Sequence, residues 1–197
     1  MSTTAITLAR RTIETPIGVL ELVASPVGLR AVLWPGEDGS RVPRSVAEPV
    51  GSFAARPRAG AADAPDLDPA PDLAQAHLDR AAAQLAEYFD GARTTFDVAL
   101  DPAGTQFQRR AWDVLSRIPF GQTISYRAQA AALGDPAKAR AVGAANGRNP
   151  ISIIVPCHRV VASSGALTGF AGGMDTKAWL LEHERRVLFS WSESARI

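Results

Sequence analysis

Cysteine occurs once in this chain, at Cys157, so no internal disulfide can form and a zinc site built from several cysteines is excluded. No run approaches the roughly 20 apolar residues needed to span a bilayer. Met1 to Arg11 lacks the basic-then-apolar order of a secretory signal. A strong charge excess is missing as well: a net charge of +1 is too small for a protein that coats a polyanion. The expectation is a soluble, cytoplasmic protein with no membrane segment, no bound metal and no cofactor. What is present is enough for a real core, since 46% of the 197 residues are hydrophobic. Charge is placed unevenly: residues 1–100 carry 9 Lys/Arg against 13 Asp/Glu, residues 101–197 carry 12 against 7. That asymmetry suits a C-terminal half that meets a polyanion, although scattered surface charge gives the same count.

The pattern along the chain predicts two parts, 1–100 and 101–197. In the first, Thr15-Pro16-Ile17-Gly18 and Ser25-Pro26-Val27-Gly28 are turn signals around Val19 to Val23, and Leu29 to Trp34 is a further strand-like run. Residues 35–71 hold seven of the chain's 14 prolines with many alanines, and read as a long loop. Leu78, Ala81, Ala82, Leu85 and Phe89 recur at helical spacing up to Asp90-Gly91, and Thr94 to Leu100 alternates like a strand.

In the second part a helix is expected from Thr105, with Phe107, Ala111, Val114, Leu115 and Ile118 on one face and Pro119-Phe120-Gly121 ending it. Ser125 to Leu133, a Gly134-Asp135 turn and Pro136 to Asn146 have the layout of a helix-turn-helix. Ile151 to Val155 reads as a short buried strand leading into Pro156-Cys157-His158-Arg159-Val160. A last helix is expected from about Thr176 to Leu188.

Cys157 is the chemical centre of this pattern. A thiol is reactive as its thiolate, so a cysteine nucleophile needs a base nearby and a group to orient that base. His158 is adjacent in sequence. Glu184 sits in the last helix with Leu180 and Leu181 one turn before it and Val187 and Leu188 one turn after, a carboxylate in an apolar stripe. A buried carboxylate needs partners. Either Glu184 accepts from His158, completing a Cys-His-Glu relay, or it pairs with an arginine such as Arg159 and pins the helix. Cys157 itself could be a small core residue. Asn149 could be a turn residue, or could tie the second helix of the pair to the cysteine segment.

These residues resemble a known family. Pro156 to Val161 is similar to the active-site signature of the O6-alkylguanine-DNA alkyltransferases, also called methylated-DNA–protein-cysteine methyltransferases. Phe120 to Tyr126, Ala139 to Gly143, Asn149-Pro150, Ser164-Gly165, Gly172-Gly173 and Lys177 to Glu184 follow in the family's order and spacing. The resemblance is specific over about 104–188 and weaker over 12–34 and 72–100.

The resemblance implies an N-terminal α/β domain with a ribonuclease H-like sheet and a mainly helical C-terminal domain with a winged-helix-like helix-turn-helix. It implies single-turnover DNA repair: Cys157 takes the alkyl group from O6-alkylguanine, with O4-alkylthymine as a further substrate, after the base is flipped out of the duplex. His158, through water, and Glu184 would generate the thiolate, and Asn149 would brace the active-site segment. The partner would be double-stranded DNA met through the minor groove by a monomer, with cooperative binding an open option. Arg140 would fill the vacated stack, Tyr126 would rotate and hold the base, and the small residues Ala139, Ala141 and Gly143 would let the helix approach closely. Tyr126, Val160, Phe170 and Ala171 would line the base pocket. Phe170 stands where many members have Tyr, Ala171 where some have Ser, and Ser152 where some have Pro. The last change is expected to alter pocket width. A lesion binder of this family would lack the cysteine, a regulator would carry a metal-binding module, and a cysteine hydrolase would need turnover.

Overall fold

The computed structural model describes residues 8–37 and 73–194, so nearly all of the proline- and alanine-rich stretch 35–71 lies outside the described residues. Three strands, β1 (Ala9–Thr15), β2 (Gly18–Ser25) and β3 (Gly28–Leu33), form an antiparallel meander in that order. The first turn needs Gly18, whose φ of +103° is open to glycine at little cost. At the second turn Gly28 is required by crowding, because a Cβ there would lie 2.6 Å from the carbonyl oxygen of Ala99.

Alternation along β2 sends Leu20, Leu22 and Ala24 to the main core. A register shift between Val23 and Ala24 lets Leu29 and Val32 of β3 both face that core, while Val23, Ala31 and Leu33 join Leu8 in a small second cluster. Helix α1 (Leu73–Phe89) covers the sheet with Leu78, Ala81, Ala82, Leu85 and Tyr88. The buried aromatic is therefore Tyr88; Phe89, expected in the stripe, is only half-buried.

Thr94 to Leu100 is extended but is not a ladder strand. It does alternate in burial, with Phe96 and Val98 packed on the core. Its backbone is satisfied elsewhere: Asp97 N–H donates to Gln84 Oε1 (2.8 Å), Gln84 Nε2 donates to the Asp97 carbonyl (2.9 Å), and a single bridge joins Leu100 to Leu29.

Helix α2 (Gln106–Ser116) opens with a capping box between Thr105 and Gln108. Strand β4 (Ile124–Ser125) follows, then α3 (Tyr126–Ala132), a 3₁₀ turn (Pro136–Lys138) and α4 (Ala139–Gly147). Helices α2, α3 and α4 are locked by buried polar pairs. Gln129 and Asn146 exchange amide hydrogen bonds, and Trp112 Nε1 donates to the Ala145 carbonyl.

Ile151 to Val155 is buried throughout but is a tight turn, not a strand. Val155 N–H donates back to the Ile151 carbonyl, and Ile153 sits at φ +75°, a costly conformation for a β-branched residue. A 3₁₀ turn (Cys157–Arg159) leads into β5 (Val160–Val161), which pairs in parallel with β4. The last helix, α5 (Met174–Ser194), outruns the expected end at Leu188. No glycine or proline interrupts it, and the hydroxyls of Ser190 and Ser192 bond to carbonyls of their own helix. No helix among the described residues is long and apolar enough to cross a membrane.

Candidate functional site

Cys157 and His158 lie on the 3₁₀ turn and are held from both sides. Asn149 caps the exit of α4 through its own N–H to the Asn146 carbonyl, and its side chain then clamps the tight turn. Asn149 Nδ2 donates to the Val155 carbonyl at 2.7 Å, and Asn149 Oδ1 accepts from Ile151 N–H at 3.1 Å. The Val155 carbonyl also accepts from Cys157 N–H. One buried amide thus links the second helix of the pair to the cysteine segment, so both readings of Asn149 hold at once.

Glu184 meets both of the partners expected for it. His158 Nε2 donates to Glu184 Oε1 at 2.8 Å, with both side chains fully buried. Arg159 lays Nε and Nη2 on the same carboxylate at 2.9–3.2 Å and sends Nη1 to the Ile118 carbonyl. Gly121 N–H donates to Oε2 at 2.8 Å and the Tyr88 hydroxyl to Oε1 at 3.0 Å. Burial on its own would raise the Glu184 pKa. The hydrogen bonds and charges of His158 and Arg159 overcome it and bring the value down to about 2.

The same pocket disfavours the protonated imidazole. Burial lowers the His158 pKa, opposed by the hydrogen bond and charge of Glu184 and assisted by the charges of Arg159 and Lys177. With Nε2–H engaged by a carboxylate, Nδ1 carries the lone pair, and it is a buried nitrogen with no hydrogen-bond partner among the described residues. That is the arrangement of a base waiting for a proton.

Cys157 is 6% exposed, and its Sγ lies 3.9 Å from the hydroxyl of buried Ser152. Around it, Lys177 is fully buried and donates from Nζ to the carbonyls of Val160 and Thr168, both at 2.7 Å. Burial lowers the Lys177 pKa, while the charge of Cys157 acts to raise it. Lys177 Nζ also stands 5.9 Å from the ring centre of Tyr126, whose hydroxyl accepts from Thr168. The ring of Phe170 meets His158 edge-on at 6.4 Å and Trp34 at 5.4 Å. Val160 is buried and Ala171 exposed. A Cβ on Gly172 would come within 2.8 Å of the Trp34 indole, so the loop carrying Phe170 and Ala171 rests directly on the end of the sheet.

On α4, Arg140 and Ala141 are exposed, and Ala139 and Gly143 are half-buried. Gly143 faces Tyr126: a Cβ there would sit 3.7 Å from its ring. Arg140 has no partner among the described residues. The structure therefore joins His158 directly to Glu184 and Phe170, ties Asn149 to the cysteine segment through the Val155 carbonyl, links Tyr126 and Val160 through Lys177, and leaves Arg140 and Ala141 on an exposed part of α4.

Tyr88, Lys177 and Trp34 were not singled out from the sequence. A signal for Tyr88 was there. It continues the stripe Leu78, Ala81, Leu85 at helical spacing, and a phenol on an apolar face requires a polar partner. Among the described residues no group of three or more His, Cys, Asp or Glu could hold a metal ion.

A family model described as the DNA-binding domain of 6-O-methylguanine DNA methyltransferase matches residues 106–186. The methylated-DNA–protein-cysteine methyltransferase of Mycolicibacterium paratuberculosis is 56% identical over 103 residues, 52% of this chain and 62% of that protein. The alignment thus spans less than two thirds of that relative. The protein of the same name from Methanosarcina barkeri is 51% identical over 108 residues, 55% of this chain and 68% of that one. The crystal structure of Mycobacterium tuberculosis O6-methylguanine methyltransferase is similar over 91% of this chain and 94% of its own, at 37% identity and a TM-score of 0.66. The structure of M. tuberculosis OGT in complex with DNA is similar over 90% and 93%, at 40% identity and a TM-score of 0.69.

Proposed function

The chain belongs to the methylated-DNA–protein-cysteine methyltransferase family, and from that membership we propose that it repairs O6-alkylguanine in DNA by moving the alkyl group irreversibly to Cys157. The observation that carries this reading is the buried His158–Glu184 hydrogen bond of 2.8 Å beside Cys157, which leaves His158 Nδ1 free to take a proton. His158 draws the thiol proton through a bridging water, and Glu184 holds the imidazole in the right tautomer. The thiolate attacks the alkyl carbon in line with the C–O6 bond. The S–C bond forms, the C–O6 bond breaks with its electron pair going to the guanine, and the base takes up a proton. The product is a thioether that nothing in the site can cleave, so each molecule reacts once. O4-alkylthymine offers the same leaving-group chemistry and is a second substrate in this reading.

The partner is duplex DNA, approached through its minor groove by α4. Exposed Arg140 enters the stack, and Ala139, Ala141 and Gly143 keep the helix slim. Tyr126, Val160, Phe170 and Ala171 receive the flipped base, and Asn149 holds their floor in register with α4. In this reading residues 1–100 are a ribonuclease H-like α/β domain and residues 101–197 a winged-helix-like one. The protein acts as a cytoplasmic monomer, and whether it binds DNA cooperatively is read from the shape of its binding curve. The test is to incubate the protein with a duplex containing one O6-methylguanine and measure intact mass. One added methyl on Cys157 and one equivalent consumed per lesion is the expected result. Binding without mass change, or turnover, would overturn it.

A further inference from the structure

The hydroxyl of Ser152 is fully buried, and its only hydrogen-bond partner among the described residues is the sulfur of Cys157, at 3.9 Å. Buried hydroxyls are rarely left without a partner, because the lost hydration is not otherwise recovered. This one is also aimed by a rigid frame. Asn149 fixes the residues on either side, Ile151 and Val155, Ile151 is bridged to Val32 of the sheet, and Ser152 is bridged to Val155. The next residue, Ile153, is left-handed within the same tight turn. A strained residue held by so many contacts points to a constraint on where its neighbours sit.

We infer that Ser152 is a catalytic residue: its hydroxyl donates to the Cys157 thiolate and stabilises the nucleophile before transfer. This deepens the alkyl-transfer reading and rests on it for the identity of the electrophile. The width of the pocket, the role first expected of this position, is secondary. While Cys157 is a thiol, either atom can donate. Once the proton leaves toward His158, only the serine can, and a charge-assisted hydrogen bond shortens from the resting contact. After transfer the sulfur is a neutral thioether and a poor acceptor, so the hydroxyl favours the reacting state over the product.

The thiol can be titrated without DNA, and with one cysteine in the chain the signal has a single source. The rate of alkylation by iodoacetamide against pH is measured for the full chain and for Ser152→Ala. The other charged and titratable groups around the sulfur are the same in both proteins: Lys177 and Glu184 from α5, His158 and Arg159 from its own turn, Tyr126 from α3, and Tyr88 from α1. Removing the hydroxyl is expected to raise the midpoint by about one pH unit, which slows alkylation ~10-fold below both midpoints. At the alkaline plateau the variant should be as fast or faster, because a thiolate relieved of a donor is the stronger nucleophile. A purely structural loss would lower the rate equally at every pH. Ser152→Thr, which keeps the hydroxyl, should hold the original midpoint. If Ser152→Ala does not fold, Ser152→Gly removes the same oxygen with less demand for space. An unchanged midpoint, or a uniform loss across pH, overturns the role. A parent protein that fails to take a methyl from DNA while its midpoint still moves with Ser152 overturns the repair reading instead.

Discussion

Tyr88 and Glu184, 96 residues apart in the chain, meet in a buried hydrogen bond of 3.0 Å from phenol to carboxylate. It lands on Oε1, the oxygen that also accepts from His158. The helix packed on the sheet therefore reaches the carboxylate that holds His158, the residue next to Cys157. Burial first, and the charge and hydrogen bond of Glu184 next, raise the phenol's pKa well above its usual value, so it stays a donor.

Tyr88→Phe removes that donor and little else. A hydrogen bond to a buried charge contributes roughly 2 kcal/mol, and denaturant unfolding should show a loss of that order. The carboxylate left with one donor fewer becomes a stronger acceptor for the His158 proton, so the imidazole titration followed by NMR should move upward. A variant with parental stability and an unmoved His158 would show that the contact is incidental.

Acid should destabilise the protein in two stages, with the sign set by both groups. Burial lowers the His158 pKa in the folded state, so its contribution is present above the ordinary 6.5 and is lost as pH falls from there through the lower folded value. Glu184 is depressed from 4.5 to about 2, so its contribution is present above 4.5 and is lost between there and about 2. The Glu184 share is on the order of 3 kcal/mol. Unfolding free energy measured from pH 8 to 3 should fall in both windows. A curve that rises toward acid contradicts the assignment.

Arg140→Ala separates flipping from chemistry. The side chain is exposed and makes no hydrogen bond or ion pair with the described residues, so stability should change by less than about 0.5 kcal/mol. Transfer from O6-methylguanine in a duplex should slow much more than transfer from a free guanine analogue. Equal loss on both would remove Arg140 from the flipping step.

Methylation adds a carbon to Cys157, a residue only 6% exposed whose sulfur lies beside the Ser152 hydroxyl. Overfilling such a site costs about 1–3 kcal/mol. The methylated protein should melt several degrees below the unreacted one by calorimetry, and an equal or higher midpoint would mean the site has room to spare.

Much of this architecture was legible in the residues. The hairpin turns at Gly18 and Gly28, the helix start at Thr105 and the stripe through Leu78, Ala81 and Leu85 are local features, written in turn chemistry and periodicity. Thr94 to Leu100 reads like a strand because burial alternates there whether or not a ladder forms, and Gln84 supplies hydrogen bonds that a neighbouring strand would supply. Ile151 to Val155 failed differently. A short, mostly apolar run does not reveal a left-handed isoleucine, which the Asn149 clamp and the bridges to Val32 and Val155 hold in place. In the site, Cys157, His158 and Glu184 were visible as residue types in context. The choice between histidine and arginine as the partner of Glu184 was not visible, because a carboxylate with two oxygens serves both. Tyr88 and Trp34 were hidden by distance: their roles depend on how the sheet and α1 dock against the cysteine segment.

Lys177 and Lys138 are the only lysines in the chain, and the first has its amine folded between two carbonyls with no exposed surface. Lys138, at the entrance to α4, has a side chain 57% exposed. Amine-directed labels that act on the folded protein have one lysine to find, besides any α-amine. A fluorophore placed on Lys138 would sit at a defined point beside the helix pair, without touching the sulfur whose reaction it would report.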